Sequence, residues 1–450
     1  MAQVFPFRAY NYNLDKVELD KVVTQPYDKI DPQLQEVYYQ RHPYNFVRII
    51  KGKDQTGDND LNNKYTRANY YLQKWIDEGI LVRDREPSIY PYNQEYEIEG
   101  QLMVRRGLIV VTRLKPYGKG VRAHERTLAA PKADRLNLMR ATGANFGHIF
   151  MLYSDPQRRV SQLVQLFTEK DPPLLQARDD FGAVHKVWRV SHPETINQVQ
   201  QALADKELFI ADGHHRYETA VNYAEEMRQK GVKPIGNKSY ENRMMTLVNM
   251  EEPGLAILPT HRLIHSLQGF NLSSYIEETK PYFRVEEFPY QPEGEERAKE
   301  RLFEEMEKKG GEEHLFGLFA QEGDRFYLLS LKDEAIIDEF LKEERSVALK
   351  HLDVSILHTI LMDKLLGIDA KALELQKNVT YERYKNSAIE KVKKDSKYQL
   401  AFFLNPTKVH QVKKVAKLGE RMPQKSTDFF PKLLSGLTVN KINPLETENS

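Results

Sequence analysis

Hydrophobic and polar positions alternate with two different periods along this chain, and the changes of period outline its elements. Helical spacing predicts helices over 31–40 and 62–78, with a polar Gly- and Asp-containing loop, KGKDQTGDND, between them at 51–60. The β-branched and aromatic run at 45–50 predicts a strand. Strand-like runs dominate the next stretch, at 88–94, 101–112 and 148–153. Helices are predicted at 157–168 and 193–204, then a short buried strand at 209–211, a helix at 217–229 and a strand at 244–249. Beyond 270 the pattern gives a helix, a strand at 282–288 and a charged helix at 294–309. A hairpin of 315–320 and 326–331 follows, closed by QEGD. The remaining pattern is helix 353–366, strand 375–380, helix 384–393, strand 399–404 and helix 407–418. No internal repeat interrupts this order.

The fold class expected is α/β in the mixed α+β sense. Three segments are expected: 1–265, 266–345 as a small α+β unit, and 346–450 as a C-terminal region packing on the first.

One stretch combines a change of period with chemistry. In ELFIADGHHRYETAV (207–221) an apolar strand runs into an acid, a glycine, two histidines and an arginine. Tyr217, Ala220, Val221, Ala224 and Met227 then share one helical face. Asp212 suits a helix N-cap. Gly213, His214, His215 and Arg216 fall at the helix N-terminus, where backbone N–H groups and the dipole favour an anion. Gly213 permits close approach of a ligand, and the Arg216 fork matches phosphate oxygens. His214 and His215 can donate to phosphate, or one can carry a proton near neutral pH. Adjacent helical positions diverge by about 100°, so the two imidazoles do not face one metal ion. The alternative, a capped helix with surface histidines, stays open on these residues alone.

Composition removes several classes of function. Lys+Arg number 66 and Asp+Glu 65, so no global field favours nucleic acid or a membrane surface. No apolar run is long enough to span a bilayer, and MAQVFPFRAYNYN has no signal-peptide pattern. There are no cysteines, which excludes thiolate metal sites and thiol nucleophiles. A cytoplasmic protein is the expectation. No oligomeric state follows from the pattern.

Other candidates are more dispersed. His124 and Glu125 lie in HERT, and a Glu beside a His can serve as base for phosphoryl transfer to an alcohol. Arg140, Thr142 and Asn145 in RATGANFGH can line a pocket or form a turn. Asp28, after the rigid Pro26, can bind Mg²⁺ or cap a turn. His261 and Arg262 sit at a predicted strand end, and His358 lies on an apolar helix. GERMPQKST (419–427) nearly spells a P-loop, but Gln424 stands where the second glycine belongs and no long helical period follows.

The segment ADGHHRYETA resembles the signature of the family catalogued as domain of unknown function 1015. Further blocks in order extend that resemblance over almost the whole chain: TQPYDKI, HPYNFVRI, AHERT, ATGANFGHIFMLY, ILPTHRLI, LDVSILH and MPQKSTDFFPKLLSGL. The Asp-Gly-His-His-Arg element is in turn similar to the phosphate loop of ParB/sulfiredoxin-like proteins, free L-serine kinases among them. The resemblance implies a nucleotide-binding core of that kind with an additional α+β C-terminal region. It implies ATP or ADP with Mg²⁺ as cofactor, and a nucleotide and a small hydroxyl metabolite as ligands. It also implies phosphate contacts from Gly213, His214, His215 and Arg216, and catalytic roles for Glu125, Asp212, His214 and His215. His124, Arg140, Asn145, Lys425 and Ser426 are expected to bind substrate and Asp28 the metal. The function expected is a kinase acting on a small hydroxyl compound, free L-serine being one such acceptor. A nucleotide sensor without turnover and a phosphate-ester hydrolase remain alternatives.

Overall fold

The computed structural model describes residues 2–442, except 126, 128, 235, 237, 238, 322, 342 and 343. Its fold is mixed α+β, with two large sheets. Contacts group the described residues into two units: 2–123, 127–256 and 431–442 form the first, and 124–125 with 257–430 the second. The three segments expected from the sequence are thus two units here. The strand His261–His265 pairs inside the second sheet. That same sheet joins strands from both sides of residue 345. Residues 431–442 return to the first unit, where Asn440–Lys441 pairs with Ala144–Asn145 and Val439 bridges to Tyr10.

The first unit is built on a nine-stranded mixed sheet. Its order is Val121–Arg122, Leu208–Asp212, Ile149–Tyr153, Asn242–Asn249, Gln101–Arg113, Tyr90–Ile98, Val184–Val187 and Leu175–Arg178. Val4–Phe5 pairs with the Gln101–Arg113 strand. The long hairpin of Tyr90–Ile98 and Gln101–Arg113 is closed by Glu99 and Gly100, both at positive φ, the geometry of a tight hairpin turn. Ile149, Met151, Leu208, Ile210, Met245, Leu247, Leu108 and Val110 share one buried cluster, as period-2 alternation requires. The helix His214–Gln229 buries Tyr217, Ala220, Ala224 and Met227. It packs with Met139 of the helix Ala129–Thr142 in a second cluster.

The second unit carries a six-stranded antiparallel sheet. Its order is Phe283–Pro289, Arg325–Leu331, Leu315–Ala320, Tyr398–Leu404, His261–His265 and Val379–Glu382. The helices Glu295–Lys309 and Lys385–Lys394 cover its core through Leu302, Met306, Ala388 and Val392.

Three local expectations change. Residues 45–50 form no strand: Val47–Ile50 is a four-residue helix. The strand expected at 375–380 is Val379–Glu382. The helix Ala129–Thr142 falls in a stretch whose pattern gives only strands. Among the described residues, no helix is long and apolar enough to cross a membrane.

Candidate functional site

The strand Leu208–Asp212 buries its first four residues, and its register shifts between Ile210 and Asp212. Such an irregularity re-aims the side chain at the strand end. Asp212 therefore ends the strand and is not the helix cap. The cap position is Gly213, with φ 94° and no side-chain capping bond. The Asp212 carboxylate is drawn instead to Arg216, whose Nη2 donates to Oδ2 at 2.9 Å. Only glycine takes that left-handed conformation without strain. A Cβ at 213 would lie 3.0 Å from Arg216 Nε, so the guanidinium rests against the glycine itself. The helix begins at His214, three residues earlier than its apolar period indicates, and Tyr217 N donates to Gly213 O at 2.9 Å. First-turn N–H groups have no carbonyl to bond within a helix, which makes this end electropositive.

Arg216 is buried at 5% exposure, and its Nη1 donates to His148 O. Burial opposes the charge on Asp212, but Lys432, then Arg216, Lys29 and His214, hold its carboxyl well below the usual range. It is ionised at neutral pH. The His215 imidazole is half-buried, and burial lowers its pKa from 6.5. Lys132 and Arg216 add to that shift, while Asp28 and Glu218 oppose it. His215 is thus a neutral base at pH 7. Glu218, one helical turn beyond His214, accepts from Thr127 Oγ1 at 2.5 Å and from Lys132 Nζ at 2.9 Å. Burial pushes its carboxyl up, yet those two bonds hold it below its ordinary value.

Asp28 stands exposed on the turn Tyr27–Lys29, and its charge reaches both His215 and Arg216. Asp28, Asp212, Gly213, His214, His215 and Arg216 are therefore all parts of the first unit. The remaining candidates are placed differently. Arg140 is exposed and donates to Glu226 at 2.9 Å and to Asn137 at 3.1 Å. Asn145 is fully buried, and its Oδ1 accepts from Met244 N at 3.1 Å, a tie between backbone segments. Thr142 Oγ1 donates to Leu138 O within its helix.

His124, Glu125, Lys425 and Ser426 belong to the second unit. There His124 Nε2 meets Thr427 Oγ1 at 3.0 Å, and Ser426 Oγ donates to Pro423 O at 2.5 Å. Lys425 has φ 57°, and its carbonyl accepts from Arg262 Nη2 at 3.2 Å. The strand Asp428–Phe430 follows this loop where a P-loop requires a helix. His261 and Arg262 open the strand His261–His265, the strand end expected from the sequence, and both are buried. Among the described residues, one group has metal-ligand spacing, His314, Glu334 and His351 in the second unit, and it does not include Asp28.

Several charged residues of the first unit lie outside the sequence-based reading. Arg135 and Arg243 are two of them, and together with Tyr27, Phe146, Ser435 and the expected Arg216 they line one cavity. Lys432 and Glu218 flank the loop. The available signal was a charge inside an apolar run: Arg243 in NRMMTLVN and Lys432 in FFPKLLSG.

Several solved structures are similar to this chain in part. A conserved hypothetical protein from Pyrococcus furiosus is 13% identical over 71% of this chain and 90% of its own, with a TM-score of 0.31. A mutant free serine kinase in complex with ADP is 12% identical over 70% and 90%, with a TM-score of 0.32. SbnI with a C-terminal truncation, from Staphylococcus aureus, is 9% identical over 72% and 85%, with a TM-score of 0.33. No curated protein matches the sequence significantly. The family model described as "Protein of unknown function (DUF1015)" matches residues 4–355, most of the chain, and the protein belongs to that family.

Proposed function

We propose that the first unit is a phosphotransferase that moves a terminal phosphoryl group from ATP or ADP to the hydroxyl of a small metabolite. The observation that carries this reading is the junction at 212–216. An ionised carboxylate, a left-handed glycine, a neutral histidine and a buried arginine meet at the N-terminus of a 16-residue helix. The first-turn N–H groups would receive the phosphates, with His214 and Lys432 at the rim. Phosphoryl transfer needs positioning and cationic surroundings more than covalent help from the protein. Lys29, Lys132, Arg216 and Lys432 supply those surroundings.

His215 would take the hydroxyl proton as the acceptor oxygen attacks the terminal phosphorus, while the bond to the bridging oxygen breaks and its electrons leave with the shortened nucleotide. Asp28 and Asp212 both act on the Arg216 guanidinium, and two hard carboxylates at a phosphate site suit Mg²⁺. When bound there, Mg²⁺ would neutralise phosphate charge. Free L-serine is one acceptor of the expected class. Glu125, a member of the second unit's contacts, is replaced by His215 as the base in this reading.

The test pairs two measurements. Nucleotide affinity is read by calorimetry, and phosphomonoester formation by mass spectrometry with Mg²⁺ and a pool of hydroxyl metabolites. The wild type should form product. His215→Asn should lower turnover by roughly 10²–10⁴-fold while nucleotide affinity changes little. A wild type that binds nucleotide and phosphorylates nothing would turn the reading into a sensor, and one that binds no nucleotide would end it.

A further inference from the structure

Arg243 lies on the central strand Asn242–Asn249 at 5% exposure. One of its nitrogens, Nη2, donates to Gly147 O at 3.1 Å. Among the described residues, Nε and Nη1 have no hydrogen-bond partner. An unpaired buried guanidinium is costly. Arginine cannot escape that cost by releasing its proton at neutral pH, so an anion is the missing partner.

The surroundings add positive charge. Arg135 and Arg216 line the same cavity. Arg135 lies 4.0 Å over the Tyr27 ring and is paired to Asp134. Arg216 is paired to Asp212. Asp134 and Asp212 are thus taken up by Arg135 and Arg216, the exposed Asp28 also acts on Arg216, and among the described residues none of the three hydrogen-bonds Arg243. Burial, then Arg216 and Arg135, push its pKa down to about 9, the direction expected where cations crowd without a counter-ion. Phe146 and the Gly147 backbone close the cavity beside it, and Ser435 adds a hydroxyl.

Size limits the occupant. The cavity has a volume of about 40 Å³, against roughly 10–15 Å³ for a single water. That holds the oxygens of one compact oxyanion but no nucleoside. We propose that this cavity is a binding site for a single compact oxyanion, with Arg243 as its principal ligand and Arg216 and Arg135 beside it. The site shares Arg216 with the phosphotransferase reading but needs neither turnover nor a nucleotide.

The test uses the full chain at constant ionic strength, with inorganic phosphate or acetate compared against chloride. Either oxyanion should raise the wild-type Tm saturably, and the one that responds identifies the head group. Arg243→Met should bind that oxyanion at least tenfold more weakly. In chloride it should be no less stable than wild type, because it removes an uncompensated charge. Should it not fold, Arg243→Lys reads the same contact and should weaken binding at least threefold. ADP affinity of the variants should stay near wild type, and loss of ADP binding by the wild type would end the phosphotransferase reading without touching this one. No response to either oxyanion, or an equal response in wild type and variants, overturns the proposal. So does full competition between ADP and the oxyanion, which would merge the cavity with the nucleotide site.

Discussion

His148 offers a measurement in which charge, burial and stability can be followed together. Its ring is buried, with Nδ1 against Thr246 Oγ1 at 2.8 Å and Nε2 against Thr438 Oγ1 at 2.9 Å. Burial, then the charges of Arg216 and Arg243, push its pKa down from 6.5 to about 3. The folded protein thus keeps His148 neutral where the unfolded chain protonates it. Below pH 6.5 the unfolded state binds the extra proton, so stability falls with pH until about pH 3, where the folded state also titrates. Each pH unit in that window is worth about 1.4 kcal/mol. Lowering the pH from 7 to 5 should therefore remove about 2 kcal/mol through this residue alone. The assay has a built-in reporter, because both tryptophans, Trp75 and Trp188, lie in the first unit. Denaturant melts followed by tryptophan fluorescence at pH 7 and pH 5 should show the loss. His148→Gln should reduce the pH dependence by that amount, whatever it does to stability at pH 7. His185 is also buried with a lowered pKa and gives a background of the same sign, so the difference between the two proteins is the quantity to read. Equal pH dependence in wild type and His148→Gln would refute the reasoning.

Two further outcomes follow from the junction at 212–216. Gly213→Ala forces a side chain into φ 94° and against Arg216 Nε, and should cost about 1–3 kcal/mol in the same fluorescence melt; an unchanged midpoint would mean residue 213 is not left-handed. Asp212→Asn removes the negative charge that Lys432, Arg216 and Lys29 surround, and should tighten ADP binding severalfold in EDTA; weaker binding there would show that Asp212 does not face the nucleotide phosphates.

The strand-to-helix junction was legible because strand, glycine, histidines and helix are contiguous in sequence. Helix 217–229 could be recognised from five apolar positions, all of which fall on the helix His214–Gln229. Several local readings failed, and each failure has a physical reason. Phe46, Val47, Ile49 and Ile50 give residues 45–50 an apolar, largely β-branched content, and a run that short has no period to separate a strand from a buried helical turn. Phe46, Val47, Ile49 and Ile50 are all buried, so tertiary packing chose the helix. The helix Ala129–Thr142 has little apolar asymmetry to detect. Its end was still marked, since Gly143 follows it at φ 55°. The cap assigned to Asp212 failed because Arg216, one turn on, competes for the same carboxylate.

Charged residues inside apolar strands show where sequence reading can go further. Arg105 and Arg243 both sit buried in neighbouring strands of the same sheet. The turn at Glu99 and Gly100 fixes the hairpin register and sets Arg105 directly opposite Gln94, whose Oε1 accepts from Arg105 Nε at 3.0 Å. The partner of Arg105 can thus be counted off from the turn, and its burial is accounted for by the protein. Arg243 stands opposite Thr112, whose hydroxyl hydrogen-bonds neither Arg243 nor any other described residue. Its cross-strand neighbour gives it no hydrogen bond. A buried arginine whose cross-strand neighbour can answer it belongs to the scaffold. One whose neighbour cannot must find its anion elsewhere in the fold or in solution, and for Arg243 the described residues of the fold provide none.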